Sequence, residues 1–340
     1  MQRHSMLAVT VCLGAGLCMP AATNYKISAR FPVPGTGGWD YITLDDAARR
    51  LYVSHATQVE VLDADTGKVT GVITDTPGVH GVAIATPFHH GFTSNGREGK
   101  VSMFDPATLK LIRKIDVGQG PDGIYFDPAS KRVFTNNHGT HDVTAIDASS
   151  GKVVGTVKLE GDGEQAVIGA DGLIYVNSED TAEVVAFDPK SLAVKKRMPI
   201  GVAKTPTGLA YDAKTNRLFI GCREKPMMVV MDAGSGKVIA NFPIGAGVDF
   251  AGFDPKSRLA FFACGGDGTL NFFHEKSANE IEDAGVLKTQ PSAKTLAFDA
   301  KTGKIFLPAA EYLEPPTSEP GKRPRRTVKP GTFVVLVVSK

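Results

Sequence analysis

The sequence predicts an all-β fold, a seven-bladed β-propeller of four-stranded antiparallel blades, and three observations carry that prediction. The first is the stretch Gly120–Glu160, where four short β-branched or aromatic runs (GIYF, KRVFTNN, DVTAID and GKVVGTVKL) are separated by DPAS, HGTH and ASSG. The Asp, Pro, Ser and Gly of those clusters supply tight turns and positive φ, and no run has the length or the 3.6-residue period of a helix. The second is the period. The acidic residue closing the third run recurs as Asp63, Asp105, Asp147, Asp188 and Asp232, with His274 in the sixth place, at gaps of 42, 42, 41, 44 and 42 residues. Four strands every ~40–45 residues mark a propeller blade. The third is a second repeated acid, in the turn between the first two runs: Asp45, Asp127, Asp212, Asp254 and Asp299.

Met1–Ala22 reads as a secretory signal. Arg3 and His4 make a short basic start, Met6–Leu17 is apolar but too short to span a bilayer, and Cys18–Ala22 offers small residues for cleavage. Residues 23–340 then form one propeller domain, in a periplasmic or secreted setting. Tyr25–Val33, YKISARFPV, resembles the fourth-strand run KVIANFPIG at Lys237–Gly245. It is expected to complete the last blade, which otherwise shows only Thr295–Phe298, Lys304–Leu307 and Phe333–Val338. Closing the ring this way leaves no unpaired edge where the array would end.

The blades begin near Trp39, His80, Asp122, Gln165, Thr207, Asp249 and Lys294. The fourth has a shorter first turn, GADG in place of FDPASK. One insertion breaks the rhythm: Glu314–Gly331 carries five prolines and five Lys or Arg residues (Lys322, Arg323, Arg325, Arg326 and Lys329) between two strands of the last blade. Such a composition favours an extended loop. A nucleic-acid arm is the sharper reading of it, a solvated hairpin extension the plainer and preferred one, since no aromatic is interleaved for base stacking.

Composition bounds the partners. At 42% hydrophobic and 22% charged the chain is that of an ordinary globular protein, and a net charge of +2 supplies no global field toward nucleic acid or membrane. Beyond the signal only Cys222 and Cys264 remain, each three residues after a strand aromatic, Phe219 or Phe261. An oxidising compartment permits a disulfide, but equivalent positions on neighbouring blades need not fall within the ~4.4–6.8 Å Cα separation that a bridge requires. Neither thiol belongs to a C-x-x-C or C-x-x-C-H pattern, so no haem-attachment or thiol redox motif is present, and no nucleotide motif occurs.

The grammar FDP…KR(V/L)F…N…VTAID…TGKVV, together with GGWDYITLD, TPGVHGVAIA, GFTSNG, GVDFAGFDP, GGDGTL, LPAAEY and the final GTFVVLVV, resembles the YVTN-type, YncE-like β-propeller repeat family over about residues 25–340. The resemblance implies seven blades, an extracytoplasmic location and a binding role. Single-stranded DNA binding, described for a distant member, rests on no motif found in this chain. Related seven-bladed lactonases share similar repeats, which makes a lactonase-like hydrolase the alternative reading.

Function is expected where the blades' first strands open onto the central channel. The position opening each first strand reads Asp40, His80, Asp122, Gln165, Thr207, Asp249 and Lys294, polar in every blade but varied in chemistry. A second set follows the second strands: His55, Arg97, His138, Glu179, Arg223, Asp267 and Glu311. Together they predict a cup of mixed charge for a small ligand, a metal or a protein partner. No H-x-x-x-H spacing occurs, so metal ligands would come from different blades. For hydrolysis, Asp40, His80, Asp249 and Arg223 offer a base, a metal ligand or a cation for an oxyanion. Substitution of rim residues such as His80 or Asp249 is expected to leave the melt almost unchanged.

Overall fold

The turn acids explain why the strands stop where they do. In the computed structural model, which describes residues 24–313 and 327–340, Asp127 accepts hydrogen bonds from the backbone N–H groups of Ala129 and Ser130, closing the hairpin between Pro121–Asp127 and Arg132–Asn137. Asp45, Asp212 and Asp299 do the same two and three residues on. The acids of the third strands act alike: Asp105 takes the N–H groups of Ala107 and Thr108, and Asp188 those of Lys190 and Ser191. These are Asx turns, in which a short carboxylate substitutes for the next backbone acceptor. Where His274 replaces the acid, no such cap forms. The strand runs on to Ser277 and its partner, Glu280–Lys288, lengthens to match.

The strands assemble into seven four-stranded antiparallel sheets. Six are built from consecutive strands. The seventh combines Ala297–Asp299, Lys304–Ala309 and Val334–Ser339 with the N-terminal strand Lys26–Pro32 at its outer edge. Phe31 lies opposite Val335 in that pairing, and Tyr25 stacks on Phe272 of the sixth blade at 4.8 Å. The expected closure is therefore present. The proposed signal, residues 1–22, lies outside the described residues, as do 314–326 of the insertion; the stem of that insertion is closed by a hydrogen bond from Leu313 N–H to the Thr327 carbonyl, 2.8 Å. No helix of the described residues is long and apolar enough to cross a membrane.

The core is distributed between blades. Each cluster of buried side chains spans two neighbours, as in Phe134 against Phe187 and Phe219 against Phe253. A propeller's core is thus a set of similar wedges, and ring closure is what buries the last of them. Polar staples support the wedges at the turn-acid end. Arg49 reaches the fully buried Asp299 of the last blade at 2.8 Å, and Arg258 reaches Asp212 of the preceding blade at 3.1 Å. Cys222 and Cys264 are buried and free, and burial pushes both thiols up to about 12.

Candidate functional site

Each inner strand of blades two to six carries a register shift at its start, as between Val79 and Val82 or Val248 and Phe250. A bulge re-aims the residue inside it. The residues so placed are His80, Asp122, Glu164, Thr207 and Asp249. Asp40 and Lys294 supply the mouth positions of blades one and seven.

Ion pairs join these residues across blades. Lys294 Nζ lies 2.9 Å from Asp40 Oδ1 and 2.6 Å from Asp249 Oδ2. Asp40 Oδ2 is 2.6 Å from His80 Nδ1, which is 3.2 Å from Asp122 Oδ2. His138 Nε2 stands 4.0 Å from both Asp122 and Glu164. On the other side, Asp249 pairs with Arg223, and Arg223 lies 3.6 Å from Glu179. The Glu164 and Glu179 carboxyls are neighbours, which brings the two arms into one circuit.

Exposure sorts the ring by sign. The side chains of Lys294, His80 and Arg223 are each 36% exposed, whereas those of Asp40, Asp122, Glu164 and Asp249 are between 5% and 15%. The cationic side chains are therefore more exposed than the carboxylates with which they pair. Burial opposes the Asp40 charge, but the Lys294 charge and the His80 contact outweigh it and hold the carboxyl at about 2. For His80 and Lys294 burial likewise opposes the charged form, and their carboxylate neighbours reverse the effect, so both are raised. Glu164 goes the other way. Burial, the Asp122 charge and the neighbouring Glu179 carboxyl raise it well above the usual carboxylate range.

Beneath the ring the channel is crossed by side chains. Gln165 spans three blades: its Oε1 accepts from Leu209 N–H at 2.8 Å and Ala251 N–H at 2.9 Å, and its Nε2 donates to the Ala251 carbonyl at 2.9 Å. Tyr41 meets Phe250 edge-on at 5.8 Å. A cavity of about 140 Å³ is lined by Tyr41, Gln165, Phe250, Tyr125 and Glu164 among others. The mouth is therefore a cup with a floor.

Of the predicted mouth residues, Asp40, His80, Asp122, Asp249 and Lys294 converge, joined by Arg223, Glu179 and His138. Six placements need correction. Gln165 lies inside the channel, and Glu164 holds its mouth position; GADG shortens the turn, so counting back from it misplaces the residue by one. Thr207 is buried and donates to the Val248 carbonyl, joining two blades without entering the ring. His55 is 2% exposed, packed on Phe333 at 4.7 Å and facing Glu60 at 3.7 Å. Glu311 sits on the insertion stem, paired with Lys329 at 2.8 Å. Arg97 packs against Gly78 and Asp267 caps its own turn toward Thr269 and Ala246, so both are rim residues. Asp249, expected as a rim group, is instead 4% exposed and pairs with two cations. Glu164 was legible only by counting from the second strand, where Gly163 opposite Ser178 repeats Pro121 opposite Asn137.

A family model described as YncE-like β-propeller matches residues 70–302. The chain belongs to the YncE-like β-propeller family. Among its relatives, an uncharacterized protein YncE of Salmonella typhi is 25% identical over 220 residues, covering 61% of this chain and 56% of the relative. The YncE of Escherichia coli K12 is 23% identical over 224 residues, covering 62% and 57%. The match thus spans little more than half the length of these relatives. A chain of Kuenenia stuttgartiensis hydrazine synthase shares the fold, with a TM-score of 0.71 at 15% identity over 81% of this chain and 94% of that one.

Proposed function

We propose that this member of the family is an exported binding protein whose channel mouth takes a small polar ligand bearing an anionic group. The observation that carries the reading is the ring itself. One repeat position varies in chemistry among the blades, and six of its seven occupants join Arg223, Glu179 and His138 in contacts that cross blades above a floor of side chains. The cationic side chains of Lys294, His80 and Arg223 are its most exposed members, which favours an incoming carboxylate or phosphate. Periplasmic or secreted placement rests on the signal-like Met1–Ala22.

The test is a thermal-shift screen of the mature chain against small carboxylates, sugar acids, amino acids and phosphate esters, with a lactone panel assayed for turnover in parallel. A ligand that raises the melt of the native protein should lose that effect in Lys294→Gln and Arg223→Gln, and keep it in Glu311→Gln on the insertion stem. Equal shifts in all four proteins would overturn the assignment. Turnover of a lactone that falls by about 10²-fold in Asp249→Asn would replace it with the hydrolase.

A further inference from the structure

We propose that Asp40, His80 and Asp122 together hold a divalent transition-metal cation, zinc being the best match, at one side of the mouth. The proposal rests on the reading of the mouth as a binding site and names a ligand for it. One atom from each of the three residues lies within 4.8 Å of the others. His80 Nδ1 already stands between the two carboxylates, at 2.6 and 3.2 Å. A cation with bonds of ~2.0–2.2 Å to imidazole nitrogen and carboxylate oxygen would replace the His80–Asp40 contact, which must open slightly to admit it.

A second observation points to a ligand independently of that spacing. Asp122 is 8% exposed, and its Oδ1 makes no hydrogen bond of ordinary geometry. A buried carboxylate oxygen left without a donor is costly unless something electropositive joins it. Lys294 holds the far oxygen of Asp40, so that candidate ligand has an outer partner that orients it.

Charge balance also fits. Lys294 and Arg223 lie beside the site, but Asp249 and Glu179 pair with them and offset the two charges. Asp40, Asp122 and a neutral His80 then leave two negative charges for a divalent ion. Gly96 matters here: a Cβ at that position would come within 2.8 Å of His80 Nε2, so glycine lets the imidazole lie back with Nδ1 turned to the carboxylates. A mix of one imidazole and two carboxylates suits zinc better than calcium, which takes six to eight oxygens. With three protein ligands a four-coordinate ion would keep one position for an anionic ligand.

The described residues contain one further trio, His141, Asp162 and Asp180, in which His141 and Asp180 are exposed. It provides the control. The mature chain, stripped with chelator, is titrated with zinc chloride by calorimetry as the native protein and as His80→Gln, Asp122→Asn, Gly96→Ala and His141→Ala. We expect one zinc per chain whose affinity falls by at least about 100-fold in His80→Gln and Asp122→Asn and is unchanged in His141→Ala. Gly96→Ala keeps every ligand but displaces the imidazole, and should weaken binding by a smaller factor. In the native protein, zinc should perturb the imidazole ¹⁵N resonance that is missing from His80→Gln, a readout that needs no variant to bind. Zinc binding that survives His80→Gln and Asp122→Asn, that disappears in His141→Ala, or that is absent from the native chain overturns the metal site. If zinc fails while a Lys294-dependent anionic ligand persists, the mouth stands as an organic-ligand site alone.

Discussion

The two ends of the same inner strands obey different rules. At one end Asp45, Asp127, Asp212 and Asp299 recur with the same task, each accepting backbone N–H groups from its own turn. Five residues earlier the strands carry Asp40, Asp122, Thr207 and Lys294, and most of these side chains look to other blades for partners. The first end is local chemistry repeated; the second is one object assembled from different parts. Repetition marks what every blade needs to fold, and departure from it marks what only the ring uses.

Both ends presuppose a closed ring, so the largest effect comes from opening it. Deleting residues 25–33 removes the outer strand of the last blade and exposes the edge of Val334–Ser339. The loss should be several kcal/mol, against the ~5–15 kcal/mol of a whole domain. Thermal melts and sedimentation of the truncated and mature chains decide it; an unchanged melt with no aggregation would remove the closing role of that strand.

The next effect sets the ends apart. Asp249→Ala strips the carboxylate between Lys294 and Arg223, and should cost about 1–3 kcal/mol, discounted because both cations reach solvent. Lys294→Ala and Asp40→Ala should show a coupling energy of about 0.5–3 kcal/mol in a double-mutant cycle, as members of one network do. An additive pair would mean that the circuit is only a set of neighbouring charges.

At the turn end, Asp127→Ala removes the acceptor for two N–H groups and should cost about 1 kcal/mol. Combining it with Asp212→Ala should be additive to within ~0.3–0.5 kcal/mol, because the two turns share no partner. Urea melts of the singles and the double measure this, and strong coupling would erase the distinction between the ends.

A smaller effect is expected from pH. Hydrogen bonds from Ser149 and Ser150 lower Asp147, as those of Thr108 and Ala107 lower Asp105 and those of Ser191 and Lys190 lower Asp188. A folded value below the unfolded one of about 3.9 adds stability above that pH, which is lost as pH falls through the folded value. The acid limb of stability should therefore begin below about pH 4, and Asp147→Asn, which keeps an acceptor but cannot titrate, should flatten it slightly. An acid limb identical in the two proteins would detach that turn from the pH response.

The smallest effect should come from splicing Leu313 to Thr327 through a short glycine turn. Their hydrogen bond already joins the two sides of the stem, and shortening a surface loop changes closure entropy only slowly. The melt should be unaltered. A large drop would show that residues 314–326 contribute to the ring.

The period, the turn acids and the matching of Tyr25–Val33 to a fourth strand were legible because each is a local pattern repeated at fixed spacing. The mouth was legible only in outline. Asp40, His80, Asp122, Asp249 and Lys294 could be collected as deviations from the repeat, since a strand's opening residue has a known end of the channel to occupy. Glu164 escaped because one shortened turn shifts the count by a residue, and in a strand that shift moves a side chain to the other face. His55 was misread for a different reason: it is the last residue of its strand, a position that is buried in most blades, as at Asn95, Asn137 and Ser178, whereas Arg97, His138 and Glu179 lie just beyond it. Phe333 and the glycine-rich segment that begins at Gly35 cover it.

By itself the sequence determined how many blades there are, where each hairpin turns and which strand closes the ring, because those follow from contacts within about forty residues or from matching edges. Only the tertiary structure decided which polar residues meet. Lys294 and Asp40 are far apart in the chain yet touch across the closure, and Gln165 reaches Ala251 across the channel. No spacing encodes such a contact. It exists because seven similar wedges, each specified locally, leave one shared axis, and on that axis side chains from every blade compete for the same few ångströms.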